Sequence, residues 1–144
     1  MRPFLAVAFA CALAACDTTS AVQPPITAET ARANYAAGDA VEVTIANRTN
    51  ETVGLFFLCT SALERRAGGG WTVVYRPDCS AIFEAATEIE PDSEYVGTLT
   101  LPASDVLDVG AEYRFRFSPV YQAASESASP YEAVTSPFVI TSDR

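Results

Sequence analysis

The sequence predicts an all-β domain, built as an antiparallel sandwich of two sheets. About seven short apolar segments follow one another, and several alternate between apolar and polar residues, as half-buried strands do. Clusters of turn-forming residues separate them. No helical period extends beyond a turn or two, and SDVLDVG (104–110) is the best short exception. Short alternating strands without helices are typical of sandwiches.

The strand patterns continue to the end of the chain. In the first clear strand, Val41, Val43 and Ile45 share one face and polar side chains occupy the other. The mostly apolar segment TVGLFFLC (52–59) favours a central strand, and the alternating segments favour half-buried strands. The clearest segments are AVEVTIAN (40–47), TVGLFFLC (52–59), YVGTLTLP (95–102), AEYRFRFSPV (111–120) and SPFVIT (136–141). By contrast, the low-complexity stretch from Gln122 to Val134 predicts a mobile loop.

The segment LERRAGGGWTVVY (63–75) predicts a hairpin centred on Gly69. In this register the paired residue numbers sum to 138. The expected pairs are Leu63 with Tyr75, Arg65 with Val73, Ala67 with Trp71 and, at the far end of the ladder, Cys59 with Cys79. Trp71 and Tyr75 would then share one face. We expect Trp71 in the core, packed on a bridge between the two cysteines, with an exposed ligand platform as the alternative.

The N-terminus predicts secretion. Arg2 precedes an apolar segment, residues 4–15, which is too short to span a bilayer. Leu-Ala-Ala immediately before Cys16 resembles the lipobox of bacterial lipoproteins, which implies cleavage before Cys16 and attachment of diacylglycerol and usually an N-acyl chain such as palmitate. Cys11 is the weaker candidate, because the bulky Phe9 precedes it where a small residue is needed.

This resemblance divides the chain into three parts. Residues 1–15 are a lipoprotein signal peptide, 16–32 a lipidated N-terminus and flexible tether, and 33–144 the folded domain. Two or more acyl chains on Cys16 would hold the protein at the bacterial cell membrane, facing the periplasm or the exterior. Asp17 points only weakly to the inner rather than the outer membrane.

The cysteine count then predicts one disulfide. Of the four cysteines, Cys11 is removed with the signal peptide and Cys16 carries lipid, so Cys59 and Cys79 remain. Outside the cytosol a lone pair oxidises by default. We expect the pair to be structural, because a catalytic dithiol needs a close C-x-x-C spacing and a metal site needs more ligands.

Composition excludes several functions. The net charge of −9 has the wrong sign for nucleic acid. With no histidine, Ser-His-Asp and Cys-His catalysis is impossible, and we expect no catalytic residue, metal or cofactor. The acidic stretch from Glu84 to Glu94 could supply calcium ligands or a glycosidase pair. Our preferred interpretation is a solvated edge that repels strand pairing.

Several turn and core residues resemble those of bacterial immunoglobulin-like domains of free-standing lipoproteins. They cover roughly residues 33–141 and comprise Tyr35, Gly38, Asp39, Asn47, Leu63, Glu64, Trp71, Pro91, Asp92, Gly110, Tyr113, Arg114 and Phe115. The resemblance implies an immunoglobulin-like sandwich. DVGAEYRF is also similar to its tyrosine corner, with two residues between Gly110 and Tyr113 instead of one.

These observations predict a non-enzymatic binding or accessory module of the cell envelope, with an envelope protein or glycan as partner. Its loops and acidic edge would form the contact surface. The alternative is a protease inhibitor that presents loops from the sandwich, with Gln122 to Val134 and Gly68 to Gly70 as the candidate loops.

Overall fold

The computed structural model describes residues 24–122 and 130–142, which form eleven strands and no helix. The strands are β1 (Ile26–Thr30), β2 (Asn34–Ala36), β3 (Ala40–Asn47), β4 (Val53–Leu55), β5 (Ser61–Ala67), β6 (Gly70–Tyr75), β7 (Thr87–Ile89), β8 (Glu94–Thr100), β9 (Glu112–Gln122), β10 (Tyr131–Val134) and β11 (Phe138–Thr141).

The strands form two sheets. Sheet I has the order β1-β3-β8. Sheet II has the order β2-β11-β9-β4-β7, with β5 and β10 also paired to β9, and β6 paired to β5. All pairs are antiparallel except that of β2 with β11. The chain crosses from sheet I to sheet II between β1 and β2. This is an immunoglobulin-like β-sandwich, as predicted.

The core lies between the sheets and follows the alternation in the sequence. Strand β3 contributes side chains from sheet I and β9 contributes aromatic rings from sheet II, because successive residues of a strand point to opposite faces. The fully or nearly fully buried members of these two strands include Val41, Val43, Ile45, Tyr113, Phe115 and Phe117. The apolar faces predicted for both strands are therefore confirmed.

The folded domain begins earlier than the predicted boundary at residue 33. Ile26–Thr30 was expected in the tether, but it forms β1 and buries Ile26 and Ala28. The proline pair before it and the small polar residues around it suggested a linker, yet full-length pairing with β3 makes it part of sheet I.

Other segments also differ from the predictions. Gln122 ends β9 and Tyr131–Val134 forms β10, so both ends of the predicted mobile loop are strand; residues 123–129 lie outside the described residues. Only Val53–Leu55 of the predicted central strand pairs, and Phe57 to Thr60 form turns. The segment 104–110 contains turns at 104–106 and 109–110 and no helix.

The β5–β6 hairpin has a different register from the predicted one. Gly68 and Gly69 both have positive φ (58° and 85°), which makes a two-residue turn of the type that hairpins prefer. Pairing near the turn therefore places Ala67 opposite Gly70 and Glu64 opposite Val73. A β-bulge between residues 63 and 64 then shifts the register by one residue. Beyond the bulge the predicted pairing of Leu63 with Tyr75 is restored.

Two polar side chains hold the ends of the sandwich. The buried Asn47 amide donates to the carbonyls of Glu51 and Ile89, at 2.8 and 2.9 Å, and so joins the β3–β4 connection to the end of β7. At the other end the Tyr113 hydroxyl accepts from the backbone N–H of Asp108 at 2.7 Å. This is the tyrosine-to-backbone contact that the resemblance implies, made to a donor five residues upstream.

Candidate binding cleft

A cleft of about 300 Å³ opens between the two sheets, beside the β5–β6 hairpin. One wall is a cross-strand row of sheet II side chains, Phe115, Leu63 and Tyr75, because each residue lies directly opposite the next in the ladder. The opposite wall is Thr98–Thr100 at the end of β8. The volume is at the small end of the range for ligand sites.

Pro77, Asp78 and Ile82 line the mouth of the cleft, and we call the segment that contains them, residues 77–84, the rim segment. A disulfide joins Cys79 to Cys59, with the two Cα atoms 5.8 Å apart, so the predicted bridge is confirmed. Glu84 supplies the second attachment, because its carboxylate accepts from the N–H groups of Leu58 and Cys59 at 2.7 and 2.9 Å. The rim segment is therefore fixed near both of its ends.

Two large apolar side chains project from the rim segment between these attachments. Phe83 is 98% exposed and Ile82 is 47% exposed, whereas four of the other five described phenylalanines lie in the core. Ile82 also lines the cleft. A single exposed apolar side chain is ordinary, but a consecutive isoleucine and phenylalanine, both exposed on an anchored segment that borders a cleft, are typical of a surface that partners cover.

Asp78 is the one carboxylate among the described residues that line the cleft. Its Oδ1 accepts from the N–H of Ser80 at 3.0 Å, and this hydrogen bond holds the pKa of the exposed Asp78 carboxyl below its ordinary value. Asp78 therefore keeps a negative charge at the mouth of the cleft.

The outer face of the same hairpin carries a dense ionic network. Glu64 is only 4% exposed, and its carboxylate accepts from Nε of Arg114 at 2.8 Å and from Nε of Arg116 at 2.6 Å. The hydrogen bond that Arg116 donates to Glu64 raises the pKa of the Arg116 guanidinium. Arg116 also pairs with Glu132 at 3.3 Å. Each of these charged groups already has a partner within the chain.

Trp71 belongs to this outer face and not to the core, so its predicted position is wrong. The guanidinium carbon of Arg114 lies 4.3 Å from the centre of its ring and that of Arg66 lies 5.9 Å away. Trp71 pairs with Arg66, whereas Tyr75 pairs with the inward Leu63. The bulge between them reverses the face, and the predicted shared face of Trp71 and Tyr75 does not form.

The acidic stretch is spread over several elements. Glu84 anchors the rim segment, Glu88 lies on the edge strand β7, and Glu94 pairs with Arg48 at 3.0 Å. A turn at Pro91 and Asp92, where Asp92 has a φ of 54°, separates Glu94 from the acids before the turn. Within residues 24–122 and 130–142, no three Asp, Glu or Cys side chains come together as a metal site would require.

The other predicted site residues have mixed outcomes. Cys16 lies outside the described residues. The Gly68 to Gly70 loop is a tight turn of two residues, and most of the other candidate inhibitor loop is either strand or outside the described residues. Sequence reasoning missed Asp78, Ile82 and Phe83. Their one signal was an apolar pair directly after a disulfide cysteine, in a segment without strand alternation.

No protein-family profile matches the chain, and no curated protein is significantly similar to it. Among solved structures, the chain is similar to an ASH/PapD-like domain of human CEP192 (PapD-like domain 7). The identity is 13%, the TM-score is 0.34, and the match covers 98% of this chain and 96% of that one.

A second similar structure is a beta-glucosidase from Listeria innocua in complex with gluconolactone, at 14% identity and a TM-score of 0.31. That match covers 79% of this chain but only 16% of the enzyme. Likenesses at these scores carry no functional argument. In the part of the chain that the structure describes, no helix has the length and hydropathy needed to cross a membrane.

Proposed function

We propose that this protein is a non-enzymatic binding or accessory module of the bacterial cell envelope. Its cleft and rim segment contact an envelope protein, and a lipid anchor on Cys16 holds it at the membrane, facing the periplasm or the exterior. The observation that carries the proposal is the exposure of Phe83 on a segment that is fixed near both ends.

The rim segment supports a binding role because its exposed side chains are already positioned. The disulfide at Cys79 and the two hydrogen bonds of Glu84 restrain the backbone on either side of Ile82 and Phe83. Binding then loses little conformational entropy, which otherwise opposes association. Aromatic side chains are also enriched among the residues that contribute most to interfaces.

The position of the N-terminus is compatible with an anchor at Cys16. From Cys16 to the start of β1 at Ile26 the chain can extend at most about 36 Å. Ile26 pairs with Asn47 at one end of β3, whereas the cleft wall at Thr100 pairs with Ala40 at the other end. The length of β3, roughly 23 Å, therefore separates the start of β1 from the cleft wall. A partner can reach the cleft while the chain is anchored.

Partner capture tests the binding role. The full-length protein, immobilised through a C-terminal tag, is incubated with detergent extracts of the envelope, and bound proteins are identified by mass spectrometry. We expect Phe83→Ala to lose at least three quarters of a saturable partner. The matched control is Tyr121→Ala, another exposed aromatic, which should keep it. Equal capture by both variants would contradict the proposed site.

The anchor has its own test. Intact-mass analysis of the native protein should show a mature N-terminus at Cys16 with the added mass of two or three acyl chains. Cys16→Ser should abolish that mass and release the protein from the membrane fraction. A native protein that begins elsewhere and carries no acyl chain would refute the anchor without affecting the test of the cleft.

A further inference from the structure

The free edge of strand β8 lies beside the cleft. β8 is the outermost strand of sheet I and pairs with β3 on one side only. Thr98–Thr100 of this strand forms one cleft wall. Within residues 24–122 and 130–142, no backbone hydrogen bond joins the rim segment to β8. The other side of β8 therefore presents unpaired backbone groups next to the cleft.

This edge lacks the features that usually prevent strand addition. Edge strands are commonly short, charged or interrupted by proline. β7 is three residues long and is followed by Glu90 and Pro91, and β1 is preceded by two prolines. β8 has seven residues, and from Tyr95 to Thr100 it contains neither a charge nor a proline. Of the two edge strands of sheet I, β8 is the one left open to pairing.

We propose that the cleft binds an extended segment of a partner polypeptide, which pairs with β8 as a fourth strand of sheet I. The segment inserts an apolar side chain into the cleft and places a basic residue near Asp78. This inference rests on the proposed binding function and specifies the partner's chemistry.

The geometry of a sandwich explains the fit. An added strand lies about 4.8 Å from its neighbour, and alternate side chains point toward the facing sheet. On the inner face of β8, Leu99 is buried, and the facing wall carries Leu63 and Tyr75. Inward side chains of a fourth strand would therefore enter the cleft, while the backbone pairs with β8 and Ile82 covers the mouth.

Charge favours a basic partner over a second copy of this chain. The net charge is −9, and Asp78 is the carboxylate at the cleft. Two copies paired edge to edge would bring like charges together, whereas an apolar segment with lysine or arginine would gain attraction. Backbone pairing supplies most of the affinity and the cleft and Asp78 supply selectivity.

Peptide selection tests the inference directly. A phage-displayed library of random linear twelve-residue peptides is selected on the full-length protein in detergent. A parallel selection uses the double variant Asp78→Asn, Ile82→Ala. We expect the wild-type pool to be enriched in alternating apolar residues and in lysine or arginine, relative to the double variant. Absence of any enrichment over the double variant would overturn the inference.

The leading peptide is then synthesised with and without N-methyl groups on alternate backbone amides. N-methylation on one of the two possible sets should weaken binding at least tenfold, because it removes donors to β8. Asp78→Asn or Ile82→Ala should weaken binding three- to tenfold, and the exposed controls Asp105→Asn and Val109→Ala should not. Binding that stays unchanged with both methylated sets, or in both cleft variants, would overturn the inference.

Hydrogen exchange locates the bound strand. Peptide should slow exchange of alternate amides between Tyr95 and Thr100, and sedimentation should show a monomer. If these amides were protected in a dimer without peptide, β8 would pair with a second copy of this chain, and the inference would be overturned. If a native partner is captured equally by wild-type protein and both cleft variants, the binding function stands and strand addition fails. If peptides pair with β8 but the envelope yields no partner, the binding function in the envelope fails instead.

Discussion

The two faces of the β5–β6 hairpin make an instructive comparison. The outer face carries Glu64, Arg114, Arg116 and Trp71, and it resembles a binding site in composition. The inner face borders a cleft with one carboxylate, Asp78, and a few apolar side chains. The outer groups contact one another, but the groups at the cleft mouth remain exposed to solvent.

The comparison teaches that internal partners, rather than the density of charge, distinguish a structural network from a binding site. Glu64 is buried and receives two charged hydrogen bonds, and among the described residues no buried side-chain polar atom lacks a partner. Phe83 gains nothing within the chain from its exposed position. The exposed side chains at the cleft can therefore gain favourable contacts when a partner binds. The groups on the outer face already make theirs within the chain.

The largest effect should come from the outer network. Glu64→Gln keeps the shape of the side chain but removes the charge between Arg114 and Arg116, so we expect unfolding free energy to fall by about 3 to 4 kcal/mol. Glu112→Gln, which removes the exposed pair with Arg66, should cost at most about 0.5 kcal/mol. Urea unfolding followed by circular dichroism measures both. Equal losses would show that burial of Glu64 has no energetic consequence.

The disulfide comes next. Replacing both Cys59 and Cys79 with serine should lower the unfolding free energy by about 3 kcal/mol, because the bridge closes a loop with a sequence separation of 20. The same double variant should weaken peptide binding at the cleft by freeing one end of the rim segment. Reduced wild-type protein is the control, and it should show the same losses of unfolding free energy and peptide binding as the double variant. If the reduced protein were as stable as the oxidised one, the disulfide would not be what restrains the rim segment.

Trp71 should contribute less. Trp71→Leu keeps an apolar side chain but removes the ring beneath Arg114, and we expect a loss of about 1 kcal/mol in denaturant unfolding. Val73→Thr, on the same outer face and with a similar β propensity, should change stability by less than about 0.5 kcal/mol. Cleft binding should be unaffected by either change. A large effect of Trp71→Leu on peptide binding would show that the outer face of the hairpin influences binding at the cleft.

The smallest effect on stability should come from Phe83. Because its ring is exposed, Phe83→Ala should change the unfolding free energy by less than about 0.5 kcal/mol. Urea titration of this variant beside Tyr121→Ala should show two curves close to wild type. Together with loss of partner capture, this would separate function from stability. A loss above about 2 kcal/mol would mean that Phe83 packs against the chain and is not an exposed contact.

Sequence reasoning was most successful where the pattern is local. The alternation of Val41, Val43 and Ile45 predicts a buried face, since the period of two is a property of each strand alone. The pairing of Cys59 with Cys79 is also confirmed, although the hairpin register near the turn is wrong. The bulge between residues 63 and 64 restores the predicted register beyond it, so the far end of the ladder matches.

Contacts between distant parts of the chain lay outside the reach of such patterns. The alternation and turn residues of this chain are sufficient to make it an all-β sandwich with one crosslink, because strand propensity and burial act within a few residues. The reversal of Trp71 and Tyr75, the anchoring of the rim by Glu84 and the open edge of β8 depend on which strands meet. A bulge of one residue reverses a face, and an edge exists only once the sheet is assembled.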